Sequence, residues 1–113
     1  MKRFNIYDGL EYGEDRVKIT PMFESEASKE IRITLKKDQV MKDHKTSFPI
    51  NIEIFEGSID FGVEGEIFNL VKGDIISLDA NVVHNLKGNE NSIVRLSLSK
   101  NDTVNRVKDV LKL

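Results

Sequence analysis

Apolar and polar residues alternate with a period of two in three stretches of the chain. The alternating apolar positions are Ile31, Ile33 and Leu35; Ile50, Ile52 and Ile54; and Val94, Leu96 and Leu98. This alternation is typical of strands that bury one face and expose the other. Each stretch is therefore predicted to be a half-buried strand.

Short glycine-containing segments punctuate the chain between these stretches, at Glu56-Gly57-Ser58, Glu64-Gly65, Lys72-Gly73-Asp74 and Lys87-Gly88-Asn89. Their composition is that of tight turns. No long helical window separates them, which favours an antiparallel sandwich or barrel over a parallel sheet. We therefore expect a single all-β domain over residues 1–113, with an N-terminal arm and strands in 1–30 and the core in 31–99.

The last segment breaks the pattern. Val104, Val107 and Leu111 are spaced by three and four residues, and Asn101 or Asp102 can cap the backbone amides before them. A short helix over 101–112 is predicted, packing its narrow apolar stripe on the β domain, with a second subunit as the alternative partner.

Composition narrows the classes of function. The 113 residues suit one domain, and 17 Lys+Arg against 19 Asp+Glu leave no basic face for nucleic acid or an anionic membrane. No apolar run is long enough to span a bilayer. The chain has no cysteine, which excludes thiol catalysis and Cys-based zinc sites and favours a cytoplasmic protein.

His44 and His84 are the only histidines. A metal held by three imidazoles from this one chain is therefore excluded.

Both histidines fall within patterns that resemble the two motifs of the cupin superfamily. The first motif, G-x5-H-x-H-x3-E-x6-G, is anchored here on His44 and Gly57, and the second, G-x5-P-x-G-x2-H-x3-N, on Gly73 and His84. Asp79 and Asn81 replace the proline and glycine of the second motif, and both accept turn geometry. The resemblance covers about residues 31–99 and implies a double-stranded β-helix, the cupin jelly-roll barrel.

The resemblance also implies where a metal would bind and how far that site has degenerated. Metal-binding cupins use two histidines and a glutamate of the first motif and the histidine of the second. Here Thr46 stands at the second histidine position and Ile50 at the glutamate position. The implied cofactor is therefore none, or one weakly bound divalent transition metal on His44 and His84.

Strand parity extends this implied site into a pocket. If His44 points inward, as in the family, side chains two residues apart share its face. The expected ligand pocket is lined by His44, Thr46, Phe48, Ile50, Ile52 and His84. Glu53 should face outward unless a bulge near Pro49 reverses the parity and supplies the missing carboxylate.

Two functions from different classes follow. The first is a binding module that holds a small organic ligand, a sugar or an acid, in an apolar interior. The second is a metal-dependent cupin enzyme, an isomerase or oxygenase, that uses His44 and His84. A DNA-binding regulator is disfavoured, because the predicted terminal helix is single and the charge is balanced.

The resemblance further implies a homodimer, because small cupins commonly pack one sheet of each subunit against the other. Phe55, on the outward face of its strand, is the expected interface residue.

Overall fold

The computed structural model describes residues 1–100, and the predicted helix over 101–112 lies outside them. The described chain forms nine strands and confirms the all-β prediction. They are Lys18–Glu24 (β1), Ser28–Leu35 (β2), Val40–His44 (β3), Ile50–Glu56 (β4), Ser58–Val63 (β5), Glu66–Val71 (β6), Ile75–Leu78 (β7), His84–Gly88 (β8) and Ser92–Ser99 (β9). No helix among residues 1–100 is long and apolar enough to cross a membrane.

The strands form two antiparallel sheets whose apolar faces meet. One sheet has the order β1-β2-β9-β4-β7 and the other β3-β8-β5-β6. In the centre of the first sheet, Ile52 pairs with Leu96 and Ile54 with Val94. Ile50, Ile52 and Ile54 are all buried, whereas Asn51 between them is exposed. The period of two therefore sorts side chains between core and solvent as the sequence predicts.

The sheets do not close into a barrel, which corrects one part of the prediction. Along one side the edge strands are β7 and β6, and along the other they are β1 and β3; among residues 1–100 no strand of one sheet pairs with a strand of the other. The turn at Lys72–Asp74 carries the chain from one sheet to the other, so β6 and β7 pair with different neighbours. The architecture is a jelly-roll sandwich with open edges.

Three turn residues of the cupin-like motifs, Gly57, Gly73 and Asn81, adopt backbone conformations with positive φ. Gly57 has φ +92°, and a Cβ there would clash with the Ser92 hydroxyl and lie 2.7 Å from the Asn91 carbonyl oxygen. Asn81 has φ 66°, and its N–H donates to the Thr46 carbonyl oxygen at 2.8 Å. The Asn81 turn is therefore tied to the segment that follows His44.

The N-terminal arm, residues 1–17, has no strand and covers the outer face of the five-stranded sheet. Arg32 of β2 is fully buried beneath it, and its guanidinium donates to the carbonyl oxygens of Ile6 and Asp8 at 2.7 Å. Tyr7 of the arm packs edge-on against Phe55, with ring centroids 5.5 Å apart. Phe55 faces outward as predicted, but part of its surface is already covered within the chain.

Candidate functional site

Strand pairing brings His44 and His84 side by side. His44 ends β3 and His84 begins β8, and the two are paired across these strands after a register shift that follows Met41. Their ring centroids lie 4.2 Å apart at an interplanar angle of 60°. The anchor residues of the two motifs therefore form one imidazole pair.

Hydrogen bonds fix the tautomer of both rings. Nδ1 of His44 lies 2.7 Å from the Lys42 carbonyl oxygen, and Nδ1 of His84 lies 2.9 Å from that of Val82. A carbonyl oxygen only accepts, so each Nδ1 carries a hydrogen and donates it. In the neutral rings, Nε2 is left with a free lone pair.

His84 is held in an apolar setting. Only 3% of its surface is exposed, and its ring stacks on that of Phe61 at 5.5 Å. Burial lowers the pKa of His84 below its ordinary value, and the neighbouring His44 adds to this effect. The Val82 carbonyl and the carboxylate of Asp43 oppose it. Because the lowering prevails, His84 is neutral at neutral pH.

The histidines line a space between the sheets that we call the lumen cavity, with a volume of about 190 Å³. Its walls come from both sheets and are mostly apolar. They consist of Ile19, Ile31, Ile33, Met41, His44, Thr46, Ile50, Ile52, His84, Leu86, Val94, Leu96 and Leu98. Three polar side chains among ten apolar ones is the composition of a small-molecule site rather than of a solvent channel.

Five of the six predicted pocket residues line the lumen cavity: His44, Thr46, Ile50, Ile52 and His84. Phe48 does not. It is 40% exposed and lines a neighbouring groove, which shares Thr46 and Leu98 with the lumen cavity. The groove therefore lies beside the cavity at the segment that joins β3 to β4.

Sequence reasoning missed the contribution of the other strands. Ile31 and Ile33 of β2 and Leu96 and Leu98 of β9 line the lumen cavity as fully as β4 does. The signal was present, since both strands show the same alternation as β4. Met41 could not be found this way, because the register shift in β3 falls between it and His44.

The missing carboxylate is not supplied by Glu53. Its side chain points to the outer face, where it accepts a hydrogen bond from Nε of Arg95 at 3.0 Å. Pro49 immediately precedes β4, and Ile50, Ile52 and Ile54 all remain buried. The side chains of β4 therefore keep the predicted alternation, and Glu53 is not turned inward. Within residues 1–100, no three His, Cys, Asp or Glu side chains come together as metal ligands. Two imidazoles and a hydroxyl do not fit the four-ligand cupin site, because no anionic ligand offsets the charge of a dication.

A larger groove of about 560 Å³ lies between the β5–β6 hairpin and the segment before β8. Asp43 and Asn85 line it and are joined by a hydrogen bond of 2.8 Å. Glu64, Gly65 and Glu66 of its rim are exposed, so the groove is open to water. The lumen cavity, which is less open and is lined by both histidines, is the better candidate for a specific ligand.

Solved structures share this fold, whereas no family model and no curated protein matches the chain. An RmlC-like cupin from Desulfovibrio desulfuricans superposes with a TM-score of 0.80 at 20% identity, covering 88% of this chain and 96% of that one. The chain has a cupin fold. A double-stranded β-helix protein from Klebsiella pneumoniae gives 0.77 at 17% identity, covering 89% and 92%. A cupin superfamily protein from Desulfitobacterium hafniense gives 0.73 at 13%, covering 80% and 83%.

These comparisons confirm the fold that the two motifs imply. The identities are too low to transfer an activity, since one fold hosts many functions. The function of this small cupin-fold protein must therefore be argued from its own lumen cavity.

Proposed function

We propose that this cupin-fold chain is a small-molecule-binding module whose ligand occupies the lumen cavity. One observation carries the proposal: a cavity of about 190 Å³ with apolar walls has two histidines and a threonine as its polar side chains. Apolar walls supply affinity, and a few polar groups orient the ligand. The exposed Ile19 and the adjoining groove at Thr46 give the ligand a way in.

Methyl NMR tests this proposal with an internal control. Ile52 lines the lumen cavity, whereas Ile54, two residues along β4, is fully buried and does not line it. Titration with a library of single-ring organic compounds should shift the Ile52 methyl resonances and leave those of Ile54 in place. A library that moves neither residue, or moves surface methyl groups alone, contradicts the proposal.

A metal-dependent isomerase or oxygenase is the second candidate, and one observation favours it. In both histidines Nδ1–H donates to a backbone carbonyl, which is the usual arrangement of metal-ligating histidines. With two neutral nitrogens and the Thr46 hydroxyl, we propose at most one weakly bound divalent transition metal.

Elemental analysis of untagged protein separates these candidates. The binding-module proposal expects substoichiometric metal that does not change in the His44→Ala/His84→Ala variant. Stoichiometric metal in the wild type that disappears in a folded double variant would instead establish the enzyme candidate as the better one.

We also propose that the protein works as a homodimer. The support is the open edge strand β6, on which Ile67 is 75% and Val71 45% exposed. An unpaired edge strand offers its backbone to a second strand, and antiparallel pairing of β6 with a second β6 is self-complementary. This edge replaces Phe55, which packs on Tyr7, as the proposed interface.

Light scattering at micromolar concentration tests the dimer. Ile67→Glu should convert a dimer to a monomer. Val40→Glu is the control, because Val40 is also a β-branched residue, 51% exposed, on β3 at the opposite edge of the same sheet. A monomeric wild type, or dissociation by both variants alike, contradicts the proposal.

A further inference from the structure

The polar side chains of the lumen cavity share one property. Each has its hydrogen already engaged with a backbone carbonyl. The Nδ1–H groups of His44 and His84 donate to Lys42 and Val82, and the Thr46 hydroxyl donates to Phe48 at 2.8 Å. What these three side chains have left are lone pairs: Nε2 of each ring and the oxygen of Thr46.

The size of the cavity sets a second limit. A dry apolar cavity of about 150 Å³ holds one benzene ring. The lumen cavity, at about 190 Å³, has room for one ring with a small substituent. Its ten apolar lining residues cannot pair with further polar groups on a ligand.

We infer that the lumen selects uncharged molecules about one ring in size that carry a single O–H or N–H donor, such as a phenol or a cyclic alcohol. The donor hydrogen meets an Nε2 lone pair, and the apolar body packs between the sheets. A carboxylate is rejected, because it would bring only lone pairs to acceptors and lose its hydration. A sugar is rejected, because most of its hydroxyl groups would be buried without partners. This inference rests on the proposed binding function and names the ligand class.

Three ligands of nearly equal size test it: phenol, its methyl ether anisole, and benzoate, each titrated at neutral pH with a metal chelator present. We expect phenol to shift the methyl resonances of Ile52 and to bind about tenfold more tightly than anisole, which lacks the donor. Benzoate should not bind in the lumen.

The outcomes separate the inference from the proposed function. Equal affinities for phenol and anisole, or a preference for benzoate, overturn the inference while leaving the binding module intact. Phenol binding that needs added divalent metal also overturns it. Failure of both phenol and anisole to reach the lumen overturns both.

A second readout needs no variant. Long-range ¹H–¹⁵N correlation spectra distinguish the Nδ1–H from the Nε2–H tautomer of each histidine. We expect Nδ1–H in both rings and a change in the Nε2 shift when phenol is added. Nε2–H in both rings would overturn the inference, because the lumen would then offer donors.

Discussion

The two ends of the space between the sheets are filled differently. At the packed end, Leu35, Ile54, Ile59 and Ile93 are fully buried, and none of them lines the lumen cavity. At the hollow end the lumen cavity lies between the same two sheets, with His44 and His84 at its wall. The packed end and the hollow end follow one another along the same strands, because β2, β4 and β9 each contribute residues to both.

This division teaches how one small core serves two purposes. Close packing at one end supplies dispersion and burial that stabilise the fold. The other end gives up part of that packing and gains a cavity. We therefore expect substitutions to have different consequences at the two ends even when residue type, strand and burial are the same.

The largest expected effect comes from paired truncations in β4. Ile54→Ala should lower the free energy of unfolding by about 2–5 kcal/mol, because it opens a cavity in packed surroundings. Ile52→Ala should cost less than half as much, because part of the Ile52 side chain already faces empty space. Urea unfolding of both variants measures the difference.

Equal losses at the two positions would contradict the division. The denaturant slope serves as the control, because an unchanged slope shows that both variants unfold from equally compact states.

Glycine substitutions probe the packed end with a backbone-matched control. Gly57 and Gly73 have φ +92° and +94°, but a Cβ at Gly57 meets Ser92 and Asn91, whereas at Gly73 it meets nothing within 4 Å. Both alanine variants bear the cost of a left-handed backbone, and Gly57→Ala adds overpacking of about 1–3 kcal/mol. Thermal unfolding should rank Gly57→Ala as clearly the less stable.

If Gly73→Ala were as damaging as Gly57→Ala, close packing beneath Gly57 would not be the cause. The shared backbone conformation would then account for the whole effect.

The hollow end should confer a pH dependence on stability. Burial holds the pKa of His84 below 6.5, its ordinary value, so the unfolded chain binds a proton more readily than the folded one. The free energy of unfolding should therefore fall as the pH drops below 6.5 toward the lowered pKa of His84 in the folded chain. Below that pKa it should level off. Unfolding curves measured across this range, compared with those of His84→Leu, test the slope.

A slope that persists unchanged in a folded His84→Leu variant would assign the pH dependence to other groups.

The smallest expected effect is that of Phe48→Ala on ligand affinity. Phe48 is 40% exposed and does not line the lumen cavity. Its removal should leave the affinity for phenol unchanged within about twofold, since no lining contact is lost. Thr46→Val, two residues earlier, is the matched comparison and removes a lining oxygen. A larger loss from Phe48→Ala than from Thr46→Val would move the site into the adjoining groove.

The sequence predicts the core of this fold well because alternation is a property of strands. It identifies the inward faces of β4 and β9, and the two motif spacings identify His44 and His84 as partners. Phe48 departs from the parity because residues 45–49 are not part of a strand, and a period of two holds only within one. The sequence also could not predict whether the two sheets close into a barrel, because pairing at the sheet edges depends on contacts between strands that are distant in sequence.

A crystal structure of the protein grown with phenol tests the central claim most directly. We predict density for one ring in the lumen cavity, packed against Ile52 and Leu96, with its oxygen at hydrogen-bonding distance from Nε2 of His44 or His84. No such density should lie among Leu35, Ile54, Ile59 and Ile93. A lumen filled by its own side chains, with phenol found only on the surface, would contradict the account.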